Sequence, residues 1–279
     1  MLAVSEYDEN IEKVSHRLLQ NEDNRGIIGN MMIKGKSCVM KRLAKSAELL
    51  WLFGFLFVAF GVAVCSKADL GVSMIAAPAF IIAEALSAVW SGISVGVVEY
   101  VFQGLLLVVL CIVIRQFRAR YLLAFLVAVL YGYALDFFLW MLGGVVIDEV
   151  WMRYVMLIAG DMLIAFGVAC FFRTYLPLQV YELFVAETAR RFRLNLNKTK
   201  LLFDLSLLAL TILLTLLLFG DVTAFNWTTI GYTGFHSIGI GTLITTAINS
   251  PAIAMMGKLV SRLFDPSPRL PKLQAALSN

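Results

Sequence analysis

Two pairs of polar residues stand four positions apart inside otherwise apolar stretches of the sequence. Glu99 precedes Gln103, and Lys200 precedes Asp204. A spacing of four places both members of a pair on one face of a helix, and an acid at depth in a bilayer usually faces a cavity or a partner. Glu99 and Asp204 are therefore candidates either for binding a coupling proton or Na⁺ or for buried structural pairs. For Asp204, the candidate partners are Lys200 and Arg173.

Each of two similar apolar stretches ends with a basic residue, Lys67 in the first half and Arg173 in the second. Lys67 is followed by Asp69 in Lys-Ala-Asp-Leu-Gly. One interpretation is a gate or ion-binding turn beside a broken helix, where exposed backbone dipoles hold a substrate charge. The other is an ordinary helix end, with Lys67 reaching the lipid headgroups and Asp69 capping the next helix. Both interpretations stay open.

The remaining candidates are one amide side chain, one acid and several small residues. Asn249 either forms hydrogen bonds across helices or lines a cavity. Asp161 lies deep in its stretch, but the matching position of the first half is Phe55, so internal symmetry gives it no support. Small residues allow helices to approach closely. Five residues are assigned to helix packing: Gly61, Gly167, Gly239, Gly241 and Thr242.

The composition indicates what kind of protein must position these residues. Of the 279 residues, 60% are hydrophobic and only 15% are charged, against roughly 25% charged residues in an average soluble domain. The mean hydropathy is +0.84. These values exclude a water-soluble globule, a disordered chain, a coiled coil and a small disulfide scaffold. The sequence therefore predicts an all-α membrane protein with several spans.

Runs of about 20 apolar residues can cross the hydrocarbon core of about 30 Å. Two further segments are apolar but interrupted: 70–90 carries Pro78 and Glu84, and 176–189 carries Pro177, Glu182 and Glu187. We predict that these two re-enter the membrane or lie at its surface. The six clear runs are 48–66, 93–114, 121–142, 152–172, 201–219 and 237–260.

The basic loops orient the predicted spans. Lys and Arg collect before the first run, after the second, before the fifth and after the last. Basic loops stay in the cytoplasm, and six crossings place all of them on one side, with both termini cytoplasmic. If 70–90 also crosses, the loop containing Arg115, Arg118 and Arg120 moves outside and the pattern breaks. The basic residues thus indicate topology rather than binding to nucleic acid.

The two halves of the chain contain an internal repeat. Residues 54–67 are GFLFVAFGVAVCSK and residues 160–173 are GDMLIAFGVACFFR, with six of 14 positions identical. Each repeat continues as a broken segment and two spans. Three crossings per repeat give inverted topology, as in many secondary transporters, whereas four would give parallel repeats. The predicted organisation is a tail at 1–47, repeats at 48–145 and 150–264, and a tail at 265–279.

Several of these motifs resemble the YczE/YitT-like group of bacterial multi-pass membrane proteins. The matching pieces are the segments 67–72 and 239–243, Pro251, and the basic stretch 198–200 followed by Asp204. Ser250 stands where that group leads us to expect glycine. The resemblance covers about 48–265 and implies a bacterial cytoplasmic membrane location, without an agreed substrate.

Enzymatic functions find little support. The only histidines are His16 and His236, and no phosphate-binding G-x-x-x-x-G-K-[ST] loop is present. We therefore expect no catalytic residues, no metal and no cofactor. The leading hypothesis is an ion-coupled secondary transporter or facilitator of a small solute, with an anionic solute as one option. The alternatives are a membrane scaffold or regulatory partner, which does not transport, and a channel.

Overall fold

The computed structural model describes residues 46–219 and 238–264, together with the backbone of 225–226 and 231–232. Apart from 46–47, the predicted tails at 1–47 and 265–279 lie outside the described residues. Two short strands, β1 (Phe225–Asn226) and β2 (Gly231–Tyr232), pair antiparallel. The described helices are α1 (Ala47–Lys67), α2 (Ala77–Ser87), α3 (Val95–Ile114), α4 (Arg120–Met141), α5 (Val150–Phe171), α6 (Val180–Phe192), α7 (Leu196–Phe219) and α8 (Ile240–Leu263).

Six of the described helices are long and apolar enough to cross a membrane: α1, α3, α4, α5, α7 and α8. They contain 20 to 24 residues, which is about 30–36 Å at 1.5 Å per residue. The prediction of an all-α fold with six candidate spans is confirmed. The chain is an integral membrane protein whose outer helix faces contact the lipid bilayer.

The start of α7 differs from the predicted run at 201–219. The helix begins at Leu196 because Asn195 caps it: the Asn195 Oδ1 atom accepts hydrogen bonds from the backbone N–H groups of Asn197 at 3.0 Å and Lys198 at 3.3 Å. A hydropathy pattern does not detect this polar first turn. The early start is what places Lys200 inside a regular helix, one turn before Asp204.

The two interrupted segments form the short helices α2 and α6. They have 11 and 13 residues, or about 16 and 20 Å, and neither is long enough to cross alone. Pro78 lies in the first turn of α2, where its missing N–H costs nothing. Between α1 and α2, the chain is fixed to the start of α8. The Leu70 carbonyl accepts a hydrogen bond from the Gly241 N–H at 2.8 Å, and the Thr242 hydroxyl donates to the Val72 carbonyl at 2.8 Å.

The helices α1 and α5 form the most extensive helix contact between the two halves of the described chain. A Cβ atom on Gly54 would lie 2.9 Å from the Gly167 carbonyl oxygen, and one on Gly61 would lie 2.7 Å from the Gly160 carbonyl oxygen. The reversed order of these contacts makes the helices antiparallel. Because backbone meets backbone at both points, a larger side chain at any of the four would force the helices apart.

The short helices connect the two halves. Helix α2 packs on α3 and α7, and α6 packs on α7, α3 and α4. Helix α4 lies against α3 and α1, while α8 lies against α5. The largest apolar core cluster is built mainly by α1, α4 and α5. The polar residues described next lie among α3, α5, α6 and α7.

Candidate functional site

Apart from Glu187, whose carboxylate is paired with arginine side chains, four carboxyl side chains and one ammonium group are buried among the described residues. The exposed fraction is 0% for Glu99, 2% for Asp161, 5% for Glu182, 2% for Asp204 and 7% for Lys200. If all five were ionised, their net charge would be −3. Burial of uncompensated charge is very costly. This group, the central acidic cluster, therefore needs protons or bound cations to balance it.

On α3, the Glu99 carboxylate has an asymmetric environment. Its Oε1 atom accepts hydrogen bonds from Gln103 Nε2 at 3.2 Å and from the Tyr181 hydroxyl at 2.9 Å. Its Oε2 atom and the Gln103 Oε1 atom are buried, with no hydrogen-bond donor among the described residues. One side of Glu99 is thus fixed, and the other can still take a proton or a cation.

On α7, Asp204 pairs with Lys200, one of the two candidate partners that the sequence suggests. The Lys200 Nζ atom lies 3.3 Å from one oxygen of Asp204 and 3.2 Å from the other. Arg173 instead lies against α8, where a Cβ atom on Gly257 would be 3.3 Å from its Nη2 atom. The Asp204 carboxylate is therefore matched by a cation on its own helix.

Glu182 on α6 lies between these two pairs. Its charge interacts with those of Glu99, Lys200 and Asp204. Glu182, Tyr181 and Lys200 line a closed crevice with no room for a water molecule. The Glu182 Oε2 atom finds no hydrogen-bond donor in the described part of the chain. The crevice therefore holds an acid of α6 and the ammonium group of α7 where a water molecule does not fit.

A pocket of about 280 Å³ opens at the Lys67 end of the bundle. Lys67, Asp69 and Leu139 of α4 are among its lining residues. Asp69 does not cap α2, because the N-cap position of that helix is Ala76. Its Oδ2 atom accepts a hydrogen bond from Arg153 Nη1 of α5 at 2.8 Å. The turn after α1 therefore carries an ion pair between the two halves.

A second pocket, of about 330 Å³, opens at the other end of α4. Arg120, Tyr175 and Glu187 are among its lining residues. Since Arg120 and Leu139 are 19 residues apart on one helix, the two pockets are about 28 Å apart. Glu187 accepts hydrogen bonds from Arg120 at 3.2 Å and from Arg190. The Arg118 guanidinium lies 3.9 Å from the same carboxylate.

Tyr175 connects this second pocket to the start of α1. Its hydroxyl donates a hydrogen bond to Glu48. Desolvation raises the pKa of Tyr175 to about 12, and the carboxylate partner adds to the increase. In the same region, the Trp51 indole donates to the Pro177 carbonyl at 2.9 Å. These contacts hold the turn before α6 against α1.

The remaining predicted residues lie on α8 and at the α1–α5 contact. Gly239 is the N-cap of α8, and a Cβ atom on Gly241 would lie 2.7 Å from the Leu70 carbonyl oxygen. Asn249 is 5% exposed, and its Oδ1 atom has no donor among the described residues. Gly61 and Gly167 lie at the close crossing of α1 and α5, and Thr242 fastens the turn after α1 to α8.

Sequence reasoning missed Tyr181 and gave too little weight to Glu182 and Asp161. Tyr181 is 82 positions from its partner Glu99, and no local signal marks such a contact. Glu182 was detectable as an acid in an interrupted apolar segment. The repeat comparison with Phe55 gives Asp161 no support, yet its side chain is buried with both oxygens unpartnered within the described chain. Helix symmetry does not exclude a site used by one repeat only.

A family model with the description "Family of unknown function (DUF6198)" matches residues 45–258. The chain belongs to the DUF6198 family. No curated protein and no solved structure matches it. The matched region includes every residue of the central acidic cluster. Within the described residues, no group of three or more His, Cys, Asp or Glu side chains is arranged to hold a metal ion.

Proposed function

We propose that this DUF6198 protein is an ion-coupled secondary transporter of a small solute. The observation that carries the proposal is the excess of buried carboxyl groups between pockets at opposite ends of α4. Such a cluster must gain or lose protons or cations whenever its exposure changes. A protein that exposes the cluster alternately on two sides would couple ion movement to solute movement.

Glu99 and Glu182 are the proposed coupling groups. Each has one buried oxygen without a donor among the described residues, and their charges interact. A proton or a cation between them would relieve the repulsion of two carboxylates and satisfy the open oxygens. Lys67 would contact an anionic group of the solute in the pocket at its own end, leaving the coupling cation to the acids.

The α1–α5 contact supports an inverted-repeat arrangement. The sequence repeat relates Gly54 to Gly160 and Gly61 to Gly167, each by 106 positions. Exchanging the halves therefore converts the contact of Gly54 with Gly167 into that of Gly160 with Gly61. The same exchange converts the packing of α2 on α7 into that of α6 on α3. A two-fold axis in the membrane plane produces this pattern.

Two ion pairs are the proposed gates. Asp69 of the first half meets Arg153 of the second at one end, and Glu187 of the second half meets Arg120 of the first at the other. Both are formed here and the crevice between them is closed, as in an occluded state. Opening one pair while the other stays formed would expose the cluster on one side only.

The proposed location is the cytoplasmic membrane of a bacterium, with both termini in the cytoplasm. The resemblance to the YczE/YitT-like group and the distribution of basic loops support this placement. In that orientation, the Glu187 ion pairs lie at the cytoplasmic end and Asp69 with Arg153 at the outer end. No covalent chemistry is part of this proposal.

Cysteine accessibility tests the proposal without knowledge of the solute. Leu139→Cys reports on one pocket and Leu178→Cys on the other, each in a background with the native cysteines replaced by alanine. Labelling rates with a fluorescent maleimide are measured in proteoliposomes on the alkaline and acidic sides of neutral pH. We expect acidification to change the two rates in opposite directions, and Glu99→Gln to abolish that change.

The control is Glu149→Gln, which removes an exposed carboxylate at the start of α5 and should leave the response intact. Rates that change together at both pockets would indicate a channel. Labelling rates that do not change with pH in the folded protein would indicate a scaffold or regulatory role. Either result overturns the proposed alternating access.

A further inference from the structure

Asp161 on α5 is the buried carboxyl group with the least compensation. It is 2% exposed, and neither of its oxygens has a hydrogen-bond partner among the described residues. Its charge interacts with Lys200 of α7, whose ammonium is already bound to Asp204. The thiol of Cys65 on α1 also interacts with it. Two buried carboxylate oxygens without a protein donor form a binding position for a proton or a cation.

The packing of α8 against α5 shows which residues lie near the level of Asp161. A Cβ atom on Gly241 would lie 2.9 Å from Leu157 Cδ2, and Val260 shares a buried apolar cluster with Ala169 and Cys170. These two contacts follow the same order along both helices, so α5 and α8 run parallel. Asp161 lies between the two contacts on α5, as Thr245 and Asn249 do on α8.

This packing places three oxygen-bearing side chains in one section of the α5–α8 interface. Asp161 is one turn after Leu157, and Thr245 is one turn after Gly241. Asn249 follows after one more turn of the same face. Thr245 and Asn249 are 2% and 5% exposed. The Asn249 Oδ1 atom has no donor in the described chain, and the Thr245 hydroxyl, which donates to the Thr242 carbonyl at 3.1 Å, keeps its lone pairs.

We propose that Asp161, Thr245 and Asn249 bind Na⁺ between α5 and α8. All the ligands are hard oxygen atoms, which suit an alkali or alkaline-earth cation rather than a soft metal. One carboxylate balances a monovalent ion, whereas Ca²⁺ sites generally recruit several. A proton on Asp161, even if donated to the Asn249 amide oxygen, would leave the second carboxyl oxygen without a donor. Na⁺ can contact all of these oxygens at once.

The site deepens the proposed transport function by naming a coupling ion, and it rests on that function for its role but not for its existence. Helix α5 forms the close contact with α1, and the start of α8 holds the turn containing Leu70 and Val72. A cation between α5 and α8 would fasten that turn to the central pair of helices. Na⁺ occupancy would thus favour the closed state of the Asp69 end.

Binding of radiolabelled Na⁺ to the purified full chain in detergent tests the site directly. We expect saturable binding that unlabelled Na⁺ displaces and choline does not. Asp161→Asn should weaken binding by at least about tenfold. Asn249→Ala and Thr245→Val should weaken it by smaller factors, and the exposed-site control Glu149→Gln should bind as the unsubstituted chain does. Size-exclusion profiles establish that each variant is folded.

Absence of saturable Na⁺ binding in the unsubstituted chain would overturn the proposal, as would full binding in Asp161→Asn. If Asp161→Asn does not fold, Asn249→Ala and Thr245→Val decide the question, and unchanged binding in both overturns it. A result in which only a proton occupies Asp161 appears as pH-dependent stability without Na⁺ binding, and this too overturns it. If the chain binds Na⁺ but labelling at the two pockets does not respond to pH, the Na⁺ site stands and the proposed transport function is wrong.

Discussion

Helices α3 and α7 each carry a polar pair with four-residue spacing, but the two pairs are balanced differently. On α3, Glu99 has neutral partners for one oxygen and no donor among the described residues for the other. On α7, both oxygens of Asp204 face the Lys200 ammonium. One acid remains open to a further proton or cation, while the other is already neutralised. Similar spacing in the sequence therefore supports two different roles.

Removing the neutralised acid should produce the largest effect. Asp204→Asn leaves the Lys200 ammonium buried without its direct partner, and breaking a buried ion pair from one side typically costs about 3–5 kcal/mol. We expect a large loss of folded protein, measured as monodisperse yield and thermal unfolding in detergent.

The double variant Lys200→Met with Asp204→Leu is the matched control, because it removes both charges and keeps similar volumes. Its folded yield should recover most of the loss. A single Asp204→Asn variant as stable as the unsubstituted chain would contradict the balanced-pair interpretation.

Removing the open acid should affect function and leave the fold intact. Glu99→Gln keeps the shape and the acceptor atom used by Gln103 and Tyr181, so the free energy of unfolding should change by no more than about 1 kcal/mol. The opposed labelling response of the two pockets should disappear. If Glu99→Gln unfolds as readily as Asp204→Asn, the distinction between α3 and α7 fails.

A smaller effect is expected from the group that fixes Glu99 across helices. Tyr181→Phe removes the hydroxyl that donates to Glu99 Oε1, which should lower the free energy of unfolding by about 1 kcal/mol. Tyr133→Phe on α4 is the matched control, because that side chain is 65% exposed. Equal unfolding temperatures for the two variants would show that the Glu99 contact contributes no stability.

The smallest effect should come from an exposed ion pair. Arg118 lies 3.9 Å from Glu187 with its side chain 37% exposed, and Arg120 lies nearer to the same carboxylate. Arg118→Gln should change stability by less than about 0.5 kcal/mol. Loss of stability comparable to that of Asp204→Asn would mean that exposure does not separate these ion pairs.

The sequence predicts the spans well because hydropathy and length alone determine which helices can cross. It also predicts the short helices, since prolines and acids interrupt the apolar pattern of 70–90 and 176–189. The pairs on α3 and α7 follow from helical spacing. Each of these features depends on the residues of a single segment, so it can be predicted without knowing which helices pack together.

The parts that escaped prediction depend on which helices touch. The Tyr181 contact with Glu99 exists only because α6 packs on α3. The proposed role of Asp161 depends on α8, which packs on α5 through contacts at Gly241 and Val260. Comparison with Phe55 treated the halves as equivalent at every position. Sites that use one half alone are missed by that reasoning.

The glycine contact between α1 and α5 has an evolutionary consequence. Gly54 and Gly61 face Gly167 and Gly160, which are their own repeat equivalents in exchanged order. If the repeats are inverted as proposed, a half-length ancestor inserted in both orientations would present the same two glycines to its inverted copy. Its homodimer would then need no new surface for gene duplication and fusion to join two copies into one chain.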